Sequence, residues 1–374
     1  MIIPVFPFYA EKVGVSPASV IFFLGLYSFG QLIGAPIWGA LSDRYGRRPI
    51  LLVTLLANAA ASWLLGFADT GLLLGLSRVV AGLAAGNISA AYAYATDVTT
   101  DETRPRALGL LGSAFGLGFI VGPAIGGLLA DSGGADVMSG LSRVAHAAAA
   151  LSMIAFVLTF FRLPESLPAE KRRVSGSKRQ GMSTFFRRPV LRDLLLSTMI
   201  VIAAVALLQT TLAVWSADRL KIGPRTLGWI YVFIGVVSVA VQAGAISALT
   251  KRFGASRLTR AGAIAIGVGM AGVPFVGSIT PLLVALAIFS IGSALFNPSM
   301  SGLVAAAAEP HERGAVLGAY QGAASLGRVI GPLAGTAAVI GASLEWPFMI
   351  GALVSMLGAL LIHAQHTNRK RAGT

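Results

Sequence analysis

Four charged residues, Asp43, Arg44, Arg47 and Arg48, stand on the ten-residue stretch GALSDRYGRR (residues 39–48) between two long apolar runs. One carboxylate and three guanidinium groups this close to hydrocarbon are costly unless they pair or find hydrogen bonds. Asp97 closes a later apolar run and supplies a second carboxylate, able to pair with Arg47 or Arg104. A cluster that forms only while several helix ends are together favours the conformation in which it forms, which is what a gate requires. Asp43 either joins that cluster or faces the free N–H groups at the start of the apolar run at 313–340, where an anion is stabilised. A solvated surface pair would contribute under about 1 kcal/mol, so burial decides whether the cluster matters. Arg78 is a different case, because it falls inside an apolar run, where a guanidinium costs about 3 kcal/mol and faces protein or water. The chain has no cysteine, no H-E-x-x-H, no phosphate loop and no nucleophile elbow. Neither enzyme chemistry nor a metal or other cofactor is expected.

The elements that position these charges follow from composition. Hydrophobic residues make up 55% of the chain and charged residues only 12%, about half the share of a soluble domain. Runs of roughly 17–25 apolar residues cross about 30 Å of hydrocarbon. Such runs are read at 18–42, 50–68, 71–97, 105–131, 141–161, 191–215, 225–250, 258–277, 281–307, 313–340 and 344–365, giving eleven complete spans. The 45 glycines suit membrane helices that approach closely, so the spans are helical and no barrel is expected.

A net charge of +14 invites a nucleic-acid reading, which the location of the charges excludes. Of the 29 Lys and Arg, only five (Lys12, Arg143, Arg219, Lys221, Arg225) fall on one side of the spans and two (Arg78, Arg328) fall within them. The rest share the side of Arg47, which the positive-inside rule assigns to the cytoplasm together with the C-terminus. The expected setting is the lipid bilayer of a bacterial inner membrane, and the expected state is a monomer.

Residues 162–190 are basic, with Pro164, Pro168, Gly176 and Gly181, and read as a cytoplasmic linker. The linker separates a bundle at 1–161 from a bundle at 191–366, followed by a basic tail at 367–374. The halves look like copies. Residues 40–46 (ALSDRYG) match 248–254 (ALTKRFG); Gly82 and Asn87 match Gly292 and Asn297; Arg104, Gly109, Gly122 and Pro123 match Arg313, Gly318, Gly331 and Pro332. A near-constant offset in the same order implies parallel repeats about an axis along the membrane normal.

These features resemble the major facilitator superfamily, whose two six-helix bundles rock about a central site. Residues 39–48 satisfy every specified position of its loop motif G-x-L-x-D-R-x-G-R-R. Gly109, Gly118, Gly122, Pro123, Gly126 and Gly127 reproduce in full the fifth-helix signature of its drug:proton antiporter branch, the tetracycline and multidrug exporters. Glycines at 118, 122 and 126 share one face for close helix contact, and Pro123 permits a bend. Leu74, Arg78 and Gly82 resemble the fourth-helix motif L-x-x-x-R-x-x-Q-G, with Ala81 in place of glutamine.

The resemblance implies an all-α transporter exchanging protons for small molecules, with Gly39, Asp43, Arg44, Gly46, Arg47, Arg48, Asp97 and Arg104 at the gate and Arg78 assisting proton transfer. Helix order in the family maps a central cavity onto Tyr27, Gln31, Asn87, Tyr92, Phe115, Gln209, Trp215, Tyr231, Asn297, Tyr320 and Gln321. Amides beside aromatic rings suit bulky, amphipathic substrates. The ten residues before Glu11 span at most about 15 Å as helix and resemble only the outer end of a first helix, so the natural start is expected roughly 15–20 residues upstream. Two other functions fit the fold: uptake of a sugar or other metabolite, and a non-transporting receptor or scaffold.

Overall fold

The computed structural model describes residues 1–100, 103–131, 137–167, 187–309 and 312–371. Within them the chain forms α1 (Phe6–Lys12), α2 (Pro17–Tyr45), α3 (Arg47–Leu65), α4 (Gly71–Ala85), α5 (Ile88–Asp97), α6 (Arg104–Asp131) and α7 (Val137–Arg162). After residues 168–186, which lie outside the described set, follow α8 (Pro189–Leu220), α9 (Pro224–Gly244), α10 (Ile246–Phe253), α11 (Ala255–Gly272), α12 (Ile279–Ala306), α13 (Arg313–Gly341) and α14 (Trp346–Arg371). Eleven spans are long and apolar enough to cross a membrane, with α4 and α5 forming one of them. They coincide with the eleven runs read from the sequence. The protein is a multi-pass membrane protein, and large apolar side chains such as Phe161 and Ile340 are exposed on it, as lipid contact requires.

Local chemistry sets the helix ends. Ser16 and Thr70 cap α2 and α4, their hydroxyls accepting from the N–H groups of Ser19 and Leu73, and Pro17 opens α2 with its φ already helical. The turn from α2 to α3 is the single residue Gly46, and the turn from α10 to α11 is the single residue Gly254. Their φ angles are +106° and +80°, a region that side chains disfavour by about 1–3 kcal/mol. The two copies of the hairpin therefore keep the same glycine-dependent turn.

Two compact units can be described, each by itself: Met1–Lys178 with Gly223–Tyr231, and Arg179–Ile222 with Val232–Thr374. In the first, α2 and α4 meet backbone to backbone: Gly34 abuts Leu83, Gly82 abuts the carbonyl of Tyr27, and Gly86 abuts Gly34. The span formed by α4 and α5 breaks between Ala85 and Ile88. Polar side chains cover the break, as hydrocarbon demands. Trp38 Nε1 donates to the Leu83 carbonyl at 2.7 Å, Asn87 Nδ2 to Thr54 Oγ1 at 3.0 Å, and Ser89 Oγ to the Ala35 carbonyl at 3.0 Å. The short α1 is held by the Tyr9 hydroxyl, which donates to the carbonyl of Ala68.

In the second unit, α8 is the most buried of the spans, and Trp215 packs edge-on against Phe348 at a centroid distance of 5.7 Å. Gly327 and Gly331 of α13 lie on the α8 backbone at Met199 and Ala203. Gly262 and Gly292 lock α11 to α12, since a Cβ at Gly292 would stand 2.6 Å from the Ile266 nitrogen. The repeat-equivalent glycines thus serve different neighbours: Gly82 packs on α2, whereas Gly292 packs on α11, the counterpart of α3.

Gly292→Val is expected to cost about 1–3 kcal/mol through overpacking and to lower the unfolding midpoint in detergent. Gly302→Val, on the same helix where a Cβ meets nothing within 4 Å, should leave that midpoint within a degree or two of wild type.

Candidate functional site

The charges of residues 39–48 meet at the ends of four helices. Arg47 opens α3 and is 8% exposed. Its Nη1 donates to Asp43 Oδ1 at 2.6 Å and to Ser42 Oγ at 2.7 Å, and its Nε donates to Asp97 Oδ2 at 3.0 Å. Asp43 and Ser42 come from the last turn of α2, and Asp97 from the last residue of α5. The geometry selects Arg47 as the described partner of Asp97; the side chain of Arg104 lies outside the described residues, as does position 109 in its side-chain surroundings. Arg47 is enclosed, whereas the side chains of Asp43 and Asp97 keep 18% and 24% of their surface, so losing a partner costs less than the roughly 3–5 kcal/mol of a fully buried pair and more than the under about 1 kcal/mol of a solvated one.

A third carboxylate completes it. Glu165 follows α7, and its Oε1 accepts from the Arg47 backbone N–H at 2.8 Å while Oε2 accepts from that of Arg48 at 3.3 Å. A carboxylate on the free N–H groups of a helix start complements both their hydrogen-bonding need and the helix dipole. Glu165 lies against Gly46, in the space that a Cβ would occupy. Ser166 Oγ donates to Asp97 Oδ2 at 3.2 Å, and Arg48 Nη2 donates to the Phe160 carbonyl at 2.6 Å with its guanidinium 5.4 Å from the Phe160 ring centroid. Arg44 lies over the ring of Tyr45, and Gly39 is buried in α2 as the acceptor of the Ser42 hydroxyl. Glu165 and Ser166 escape sequence reasoning because nothing local ties them to Arg47 and Asp97, 118 and 69 positions earlier.

The second copy of the hairpin lacks all of this. Lys251 replaces Asp43, Ala255 replaces Arg47, and a Cβ at Gly254 meets nothing within 4 Å. The turn is shared architecture, and the charge cluster belongs to the first copy alone.

Comparison with known proteins identifies the family. The family model described as Major Facilitator Superfamily matches residues 1–279 and 194–373. The chain belongs to that superfamily. It is 29% identical over 331 residues to the class C tetracycline resistance protein of Escherichia coli, covering 86% of this chain and 80% of the relative. It is 26% identical over 366 residues to Multidrug resistance protein 2 of Bacillus subtilis (strain 168), covering 96% and 89%. Among solved structures, the human organic anion transporter MFSD10 (TETRAN) superposes with a TM-score of 0.67 at 23% identity, covering 95% of this chain and 88% of that one. The nucleoside transporter NupG does so with a TM-score of 0.77 at 13% identity, covering 98% and 94%. At such identities these two share the fold.

Within this superfamily member, the fifth-helix glycines divide their work. Gly122 and Gly126 of α6 lie against Met1, and Gly127 against Gly228, with Cα of Gly228 3.1 Å from the Cβ position at Gly127. Gly228 in turn meets the carbonyl of buried Pro123 at 2.8 Å, whereas Gly118 borders open space among the described residues. The shared face expected for 118, 122 and 126 is thus used at 122 and 126 only. Arg78 is buried in α4, beside Ser77 and beneath the ring of Phe6.

The cavity candidates do not share one environment. In the first unit Tyr27, Gln31, Asn87 and Tyr92 are half-buried, Phe115 is exposed and Tyr231 is buried. In the second, Tyr320 donates to the Asn297 carbonyl at 3.4 Å, and Gln209 and Gln321 are exposed. Trp215 is fully buried against Phe348, which makes it a core side chain of its bundle and corrects its expected place on a cavity wall. His146 packs on the edge of Phe67 at 5.0 Å and shares a hydrogen bond with Ser142. No group of His, Asp or Glu among the described residues has the makings of a metal site.

Gly46→Ala is expected to reduce stability by about 1–3 kcal/mol from backbone strain and further by displacing Glu165. Gly254→Ala carries the strain alone, so its unfolding midpoint in detergent should fall less.

Proposed function

We propose that the chain exports drug-like or other amphipathic small molecules in exchange for protons by alternating access, from a bacterial inner membrane with its C-terminus in the cytoplasm. The buried Arg47 cluster is the observation that carries this reading. It joins the ends of α2, α3 and α5 and the segment after α7 through charges that lose their partners if any of those ends withdraws. A device with that property biases one conformation by its differential contacts. The second hairpin, with the same turn and no cluster, supports a gating role over a purely architectural one.

Bundles at 1–161 and 191–366 joined by a cytoplasmic linker at 162–190 suit this mechanism, with Asn87, Tyr92, Asn297 and Tyr320 as candidate substrate contacts. Arg78 supplies a charge within the membrane for coupling. Likeness over most of the chain to the class C tetracycline resistance protein and to Multidrug resistance protein 2 favours export over metabolite uptake. A scaffold would have no need of a buried cluster at the α2–α3 turn.

In a strain lacking its own efflux pumps, the protein should lower dye accumulation, and a protonophore should abolish the effect. Asp43→Asn removes one of the two carboxylates on Arg47 and is expected to cut export at least tenfold with membrane insertion unchanged. Export at the wild-type rate in that variant would refute the gate assignment, and raised nutrient uptake would point to import.

A further inference from the structure

The second hairpin carries cations without carboxylates. Lys251 and Arg252 lie in the last turn of α10, and Arg257 and Arg260 stand near the start of α11. None of the four enters an ion pair among the described residues, whereas the first hairpin draws Asp43, Asp97 and Glu165 onto Arg47. The repeat-equivalent positions of Arg257 and Arg260 are Pro49 and Leu52, so the turn does not call for cations there.

These arginines head a lipid-facing seam. Helices α11 and α14 meet closely: Ser355 Oγ donates to the Ala263 carbonyl at 2.7 Å, and a Cβ at Gly267 would stand 3.1 Å from Met356 Cε. At the hairpin end of the seam, Arg260 Nη1 donates to Nδ1 of His363, the residue that closes the span of α14. Arg257, Ala261, Ile264 and Val268 recur at helical spacing and are all exposed, which makes them one face of α11. Arg260, three residues after Arg257 and four before Ile264, borders that face. On α14, Leu353, Leu357 and Leu360 form an exposed face in the same way, and His363 follows Leu360 by one turn. Arg257 and Arg260 stand only about 3 and 8 Å along α11 from its first residue, at the level where headgroups meet hydrocarbon, and the exposed aliphatic side chains lie deeper.

Cations above an exposed apolar surface match a ligand with an anionic head and long chains. The planar fork of arginine donates to phosphate oxygens, and acyl chains cover Ile264, Val268 and Leu357. An acidic peptide or a free phosphate leaves that apolar surface unused, and a zwitterionic lipid brings an ammonium beside the arginines. We infer that the end of the α11–α14 seam binds the headgroup of an anionic phospholipid, with Arg257 and Arg260 on its phosphate. The site follows from the bilayer setting and is independent of the direction of transport.

Native mass spectrometry of the purified full chain, released from detergent, tests this by resolving the first lipid bound. The probes are dioleoylphosphatidylglycerol, dioleoylphosphatidylcholine and the deacylated headgroup glycerophosphoglycerol. At roughly fivefold per arginine near a membrane surface, the phosphatidylglycerol should bind at least about tenfold more tightly than the phosphatidylcholine, and the deacylated headgroup should fail to displace it. The double variant Arg257→Gln/Arg260→Gln should bring the two lipids within about twofold of each other. Arg106→Gln/Arg162→Gln removes the same charge from exposed positions at the ends of α6 and α7 and should keep the preference. Equal affinities in the wild type overturn the inference, as does a preference that survives the first double variant or disappears equally in the second. Displacement by the deacylated headgroup overturns the lipid as occupant in favour of a free phosphodiester. The wild-type ratio and the headgroup competition decide even where a variant fails to insert.

Discussion

The guanidinium of Arg47 has to be paired, and much of the first unit follows from that requirement. It is buried at the start of α3, where leaving the charge unpartnered would cost up to about 3–5 kcal/mol, a large share of a typical domain's margin of stability. Its partners come from α2 and α5, so those helices must end at one level and point inward. Because Arg47 directly follows the turn, α2 must reverse into α3 in a single residue, which leaves Gly46 at a φ that disfavours side chains. The space beside that glycine admits Glu165, whose carboxylate takes the first N–H groups of α3. One buried cation thus fixes the turn, the helix ends and the path of the chain as it leaves α7.

Properties that live along the chain were legible in the sequence. Hydropathy is a sum over neighbouring residues, so the eleven spans are plain from composition. The pairing of Arg47 with Asp97 is legible because charges beside apolar runs must find partners, and few are on offer. Glu165 is not legible: it follows a Leu-Pro pair after α7, and only the packing of α7 against α3 brings it to the hairpin. The break between α4 and α5 at Gly86 and Asn87 is hidden as well, since the side chains that stabilise it, Trp38 and Thr54, lie on α2 and α3. Trp215 shows the opposite error. An aromatic residue late in a span suits a cavity wall, yet Phe348 from the last helix encloses it.

The internal repeat separates what the fold needs from what function adds. Both hairpins turn on a glycine with positive φ, but only the first holds buried charges. Gly82 and Gly292 occupy equivalent positions and pack on different neighbours, so close contact is conserved as a habit of small residues rather than as one interface. Arg78 has no counterpart in the second half. The first unit thus holds two buried charges, Arg47 and Arg78, that its repeat lacks.

The central claim is that the contact between Arg47 and Asp97 controls transport. Charge exchange tests it most directly: dye export is measured for Arg47→Asp, Asp97→Arg and the double exchange, with membrane levels matched. The account predicts that each single change abolishes export and that the double exchange restores a substantial fraction of it. Single variants that export normally, or a double exchange as inactive as either single despite equal insertion, would contradict it.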